Sequence, residues 1–228
     1  MTASGPLRWP AALAATRQPL DDGREPHPGV CPAEEVSTYT EASLLARFTD
    51  ASERVGGQVH HLGSTAEVVR LVRELSPDGA APVVLSWGVD ALPLDGLHDA
   101  LAVEGIEVLS AAVRPDREGH AEDLARLDRA TVGLTGAVAV LAETGSVVVM
   151  SGAGRPRLAS LLPPVHVVLV SRAQLVPSLG AWLAAQPGRP AEAANCVVIT
   201  GPSRTADIEM TLTRGVHGPR AIHIVFVT

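Results

Sequence analysis

The apolar positions of this chain follow two periods that alternate from residue 39 onward. Over residues 39–55, Leu44, Leu45, Phe48 and Val55 share one side of a 3.6-residue repeat behind Thr40, which predicts a capped helix. Gly56-Gly57 ends it, and residues 58–62 read as a short strand, with His60-His61 at the surface. The rhythm repeats as helix 65–75 with Val68, Val69 and Val72 inward, strand 82–86, helix 94–103, strand 106–111 and charged helix 119–130. Strand 165–170, helix 172–184, strand 196–200, helix 205–213 and strand 221–227 complete it. Such alternation predicts an α/β domain, its sheet mostly parallel and covered by helices on both faces.

Residues 131–164 are the densest part of the pattern. Apolar runs at 136–142 and 147–150 flank the turn Glu143-Thr144-Gly145-Ser146. The loop Ser151-Gly152-Ala153-Gly154 then leads into a segment, 155–162, that reads as helical. Runs this rich in Val are expected as strands buried on both faces. Polar residues are thereby confined to strand ends and loops, where open α/β sheets hold ligands. Residues 1–37, with Pro6, Pro10, Pro19, Pro26, Pro28 and Pro32, read as an irregular arm before a single domain over 38–228.

Composition narrows the function. The chain has 228 residues and 3% aromatics, which predicts one substantial core built mostly of Val, Leu and Ala. No apolar run approaches the ~20 residues of a membrane span, and the first residues lack the order of a secretory signal, so a cytoplasmic location is expected. All 18 basic residues are Arg, which removes Schiff-base chemistry and the Walker A lysine but leaves arginine clamps for carboxylate or phosphate. Residues 1–150 hold 11 Arg against 22 acids, and residues 151–228 hold 7 against 3. A basic last third on an acidic chain suits a small anion better than nucleic acid. Cys31 and Cys196 are far apart with no CxxC partner, and neither HxxxH nor HExxH spacing occurs, so no cluster or zinc site is expected.

Candidate chemistry falls in four places. Val197–Thr200, then Gly201-Pro202-Ser203-Arg204, then Thr205 onward reads as strand, loop and helix. Its Gly201, Ser203 and Thr205 would turn N–H groups and hydroxyls toward an anion, with Arg204 as a clamp. A plain N-cap at Ser203 or Thr205 explains the same residues, and Asp207 and Glu209 oppose an anion. Gly152 and Gly154 allow close backbone approach with Arg155 beside them as a candidate anion-binding residue, but no GxGxxG with a following acid is present, so a dinucleotide fingerprint is not supported. Glu143 stands between buried strands as a nucleophile, a general base or a structural acceptor. His166 and His217 lie at strand edges, and His217 in a loop is the better placed to move a proton.

The blocks Ala-Glu-Thr-Gly at 142, Gly-Arg-Pro-Arg at 154, Leu-Pro-Pro-Val-His at 162, Gly-Pro-Ser-Arg-Thr-Ala-Asp-Ile-Glu at 201 and Gly-Val-His-Gly-Pro at 215 come in one order. Together they resemble the LUD-domain family, and within it the lactate utilisation protein C branch. The resemblance covers residues 131–228. It implies a NagB/RpiA/CoA-transferase-like α/β fold and a role in oxidising L-lactate to pyruvate beside two iron–sulfur partner proteins. The clusters would sit on those partners and no cofactor on this chain. Arg204, Ser203 and Thr205 would then hold a carboxylate, and His217 would handle a proton. The fold analogy also leaves open a stand-alone acyl- or CoA-transfer enzyme that uses Glu143, or a non-catalytic anion-binding or assembly protein.

Overall fold

The computed structural model describes residues 39–76, 82–111, 114, 116–206, 212–215 and 217–227. The predicted N-terminal arm lies outside these residues. Helix α1 (Glu41–Arg54) starts where Thr40 Oγ1 accepts from the Ser43 N–H, and it buries Phe48, Ala51 and Ser52. It leads to β1 (Gln58–Leu62), α2 (Thr65–Glu74), β2 (Val83–Ser86), α3 (Leu97–Val103), β3 (Glu107–Leu109), α4 (Arg117–Leu127) and β4 (Val132–Gly136). Then come β5 (Ala139–Leu141), β6 (Ser146–Ser151), β7 (Val165–Ser171), β8 (Leu175–Val176), α5 (Leu179–Ala185) and β9 (Asn195–Ile199). Strands β10 (Arg204–Ala206), β11 (Leu212–Arg214) and β12 (Ala221–Val227) close the order.

Six strands form one all-parallel sheet in the order β1-β12-β7-β4-β2-β3. The chain steps one way from β1 through β2 to β3, then back through β4, β7 and β12. Right-handed crossovers therefore put α2 and α3 on one face, and α4 with everything between β4 and β12 on the other. The direction reverses between neighbours β2 and β4. A crevice opens at their carboxyl ends, at the topological switch point.

The second face carries a feature the periodicity did not separate. The apolar run 136–142 is not one strand: β4 ends at Gly136, and β5 belongs to a second sheet, β8-β5-β6-β9. In it, β5 and β6 form an antiparallel hairpin over the turn 142–145, β6 pairs antiparallel with β9, and β8 lies parallel to β5. Alternation along this layer serves two cores. Val140, Ala142, Val147 and Val149 join the main core against the parallel sheet, while Ala139, Leu141, Val148 and Met150 meet Trp182 of α5. Burial on both faces, as the Val content predicts, thus arises from a sandwiched layer and not from parallel pairing.

Other expectations change for local reasons. Residues 172–184 are not one helix. Pro177 cannot donate, so a short 3-10 turn (Arg172–Gln174) and β8 precede α5, which starts behind Ser178. Residues 155–162 keep only a 3-10 turn, Arg157–Ser160, laid across β4. Gly133 makes that crossing possible, since a Cβ there would stand 1.8 Å from the Ala159 carbonyl oxygen. The predicted helix 205–213 is instead a hairpin at its described ends, Arg204, Thr205 and Ala206 pairing with Arg214, Thr213 and Leu212. Thr205 and Thr213, both β-branched, favour extended backbone over a helix where they pair. Residues 207–211, with Asp207 and Glu209, lie outside the described residues.

Candidate functional site

Two cavities take up some of the residues singled out in the sequence, and they lie at opposite ends of the parallel sheet. The first sits at the amino ends of β7 and β12, where the chain between β9 and β12 folds back. Ser203 N–H donates to the Pro219 carbonyl at 2.8 Å, Gly215 N–H to the Ser203 carbonyl at 3.1 Å and His217 N–H to Ser203 Oγ at 3.4 Å. Arg220 N–H donates to the Pro164 carbonyl at 2.8 Å, which ties in the Leu-Pro-Pro-Val-His block. Three sequence blocks more than 50 positions apart at their extremes thereby meet around a cavity of about 260 Å³. Gly201, Ser203 and His217 line it, joined by Arg157, Ser160, His166 and Thr200, with Val197, Ile199 and Ile222 as apolar wall.

Each polar group has a definite state. His166 is 1% exposed and its Nε2 shares a 2.9 Å hydrogen bond with Thr135 Oγ1. Burial pushes its pKa down to about 3, so the ring is neutral. His217 is exposed, and its backbone holds the ring at the rim. Gly201 has φ +75°, and a Cβ there would stand 2.6 Å from the Val55 carbonyl oxygen, so this turn accepts glycine alone. A hydroxyl chain, Thr144 Oγ1 to Ser146 Oγ to Thr200 Oγ1 with both steps 2.7 Å, joins the Glu143 turn to the same rim.

The helix N-terminus expected behind Ser203 and Thr205 is absent, because β10 begins at Arg204. Arg204 is turned away from the cavity, its Nη2 donating to the Val55 carbonyl at 2.7 Å. The cation on the cavity is Arg157, which the sequence offered only as part of the Gly-Arg-Pro-Arg block. Thr205 sits on β10 opposite Thr213. Glu143 is half-buried in the β5–β6 turn, where its N–H donates to the Pro177 carbonyl, and it lines neither cavity.

The second cavity, about 590 Å³, lies at the switch-point crevice. Trp87, Gly88, Asp90 and Ala91 follow β2, Ala137 and Val138 follow β4, Gln174 follows β7, and all line it. From the second layer come Ala153, Gly154, Arg155, Gln186 and Arg189. Gly154, with φ +68°, turns its carbonyl to accept from the Gly88 N–H at 2.7 Å, and Gly152 bridges Arg155. The two glycine-bearing stretches singled out in the sequence belong to separate cavities, Gly154 and Arg155 in one, Gly201 and Ser203, with His217, in the other.

Of His60-His61, the first departs from the surface reading and the second keeps it. His60 is half-buried with Nε2 3.0 Å from His223 Nδ1, while His61 is exposed and stacks on Phe226. Among the described residues no group of three or more His, Cys, Asp or Glu could hold a metal ion, and no helix is long and apolar enough to cross a membrane.

Comparison with known proteins gives a consistent result. The LUD domain family model matches residues 45–227. Lactate utilization protein C of Anoxybacillus flavithermus is 34% identical over 82% of each chain, and that of Bacillus licheniformis 38% identical over 82% of this chain and 80% of its own. For that of Halalkalibacterium halodurans the match, 36% identical, spans 62% of this chain and 61% of the relative; in some relatives it spans about half their length. A crystal structure of a DUF162 family protein from Deinococcus radiodurans shares the fold, with a TM-score of 0.57 and 22% identity over 83% of this chain and 99% of that one.

Proposed function

This chain belongs to the LUD-domain family, and we propose that it serves L-lactate utilisation in the cytoplasm by presenting the small hydroxy acid beside iron–sulfur partner proteins. The observation that supports this reading is the convergence of Arg157, Ser203, His217 and buried His166 on one cavity of about 260 Å³. That volume takes a three-carbon acid with water to spare. The relatives named for lactate utilisation support the substrate class.

The residues divide the work by their chemistry. Arg157 is exposed, has no partner among the described residues, and its planar guanidinium takes a carboxylate through paired N–H donors. Ser203 Oγ, on a loop fixed by its own backbone bonds, can hydrogen-bond the substrate hydroxyl. An imidazole at the rim, His217, takes the hydroxyl proton. Neutral His166 and the apolar wall keep the acid's methyl group out of water. Oxidation to pyruvate also releases an electron pair and the proton on carbon; an acceptor on the iron–sulfur partners would have to take up the pair, and the proton would pass to solvent.

The test is reconstitution of L-lactate oxidation from this chain and its iron–sulfur partners, with His217→Gln and Arg157→Ala alongside. Loss of turnover when the chain is omitted, and in His217→Gln with the assembly intact, supports the reading. Full turnover by the partners alone overturns it.

A further inference from the structure

The larger cavity is not absorbed by a three-carbon acid. It has more than twice the volume of the amino-edge cavity, about 590 Å³ against 260 Å³, and lies where the sheet connections diverge. We propose that this switch-point crevice binds a second ligand, a phosphate ester of a hydroxyl-bearing sugar up to nucleotide size.

Three observations carry the proposal. Arg155 is half-buried, yet its guanidinium has no hydrogen bond or ion pair among the described residues. Arg189 holds Glu192 through Nη1 at 2.7 Å but leaves Nε buried and without a partner among the described residues, a donor that a ligand oxygen would satisfy. Two guanidiniums at one cavity suit the fork geometry of phosphate oxygens. Asp90, from the turn after β2, is exposed and unpaired among the described residues, so it repels a bare anion and accepts from sugar hydroxyls. A cavity with cations from the second layer and an acid from the parallel sheet thus selects a phosphate that carries hydroxyls. Gln186 adds an amide without a side-chain partner among the described residues, and Trp87, its Nε1 donating to the Pro156 carbonyl at 3.2 Å, lines the same cavity.

Calorimetric titration of the full chain with inorganic phosphate, ribose 5-phosphate and ADP tests this, with Arg155→Ala and Asp90→Asn as variants. ADP or ribose 5-phosphate is expected to bind at least about tenfold tighter than inorganic phosphate. Arg155→Ala should weaken that binding about tenfold or more, and Asp90→Asn should reduce the preference for the sugar over bare phosphate. No binding by any of the three, equal binding by all three, or binding indifferent to both substitutions overturns the proposal. L-Lactate titrated into Arg155→Ala reads the other cavity separately, so failure here leaves the lactate reading standing and failure there leaves this one.

Discussion

His60 Nε2 stands 3.0 Å from His223 Nδ1, their rings stacked 5.2 Å apart between centroids, across the parallel pair β1–β12. One ring donates and the other accepts, so the pair is built for neutral imidazoles. Burial, then the neighbouring His60, lowers the pKa of His223 to about 4, and burial, then His61, lowers that of His60. In the unfolded chain these rings take protons near 6.5, so between that value and the folded pKa the unfolded state binds more protons. Stability is therefore complete above about pH 6.5 and falls as pH drops toward about 4 for His223, and toward about 3 for His166. Each buried ring contributes a slope of about 1.4 kcal/mol per pH unit within its window. Urea unfolding from neutral pH down to about pH 5 should show this loss, and a shallower slope in His223→Asn. A flat profile in the wild type contradicts it.

Arg204 and Arg157 should separate cleanly. Arg204→Ala removes its bond to the Val55 carbonyl and should lower stability by about 1 kcal/mol while L-lactate binding persists. Arg157→Ala should leave the unfolding midpoint in place and weaken L-lactate about tenfold. Chemical denaturation and titration on both variants decide the matter; the opposite pattern would restore the clamp to Arg204.

Trp182 anchors the outer core of the second layer at 2% exposure, yet its indole N–H is buried with no partner among the described residues. Trp182→Ala should cost about 3–5 kcal/mol through the cavity it leaves. Trp182→Phe removes an unsatisfied donor with the packing and should cost less than about 1.5 kcal/mol. Equal losses in the two variants would show that the N–H has a partner in solution.

Glycine at 133 is required by the crossing of the 3-10 turn, not by a turn of its own. Gly133→Ala should lower stability by about 3 kcal/mol or prevent folding, since the new Cβ meets backbone that cannot give way. Gly188→Ala, with open space around its Cβ and a φ of -87°, should be neutral or add about 0.5 kcal/mol. Urea midpoints of the pair check both.

Residues 39–130 were legible because the helices there are amphipathic in a simple sense. One face meets one sheet, and the period shows directly, as at α1 behind Thr40 and α2 with Val68, Val69 and Val72. The chain's lack of Lys, its isolated cysteines and its ordered blocks narrowed the chemistry, and those blocks carry the family. Beyond Gly136 the one-dimensional signal lost its meaning. A strand in a sandwiched layer is apolar on both sides, so the pattern could not tell β4 from β5, parallel from antiparallel, or one core from two. Nor could spacing show that Gly154-Arg155 and Gly201–Ser203 part to opposite ends of the sheet, or that Arg157 and not Arg204 lines the same cavity as His217. Those outcomes rest on contacts between residues far apart along the chain, such as Ser203 with Pro219 and Gly133 beneath Ala159. Local preference is silent on them; only the packing of the layers selects them.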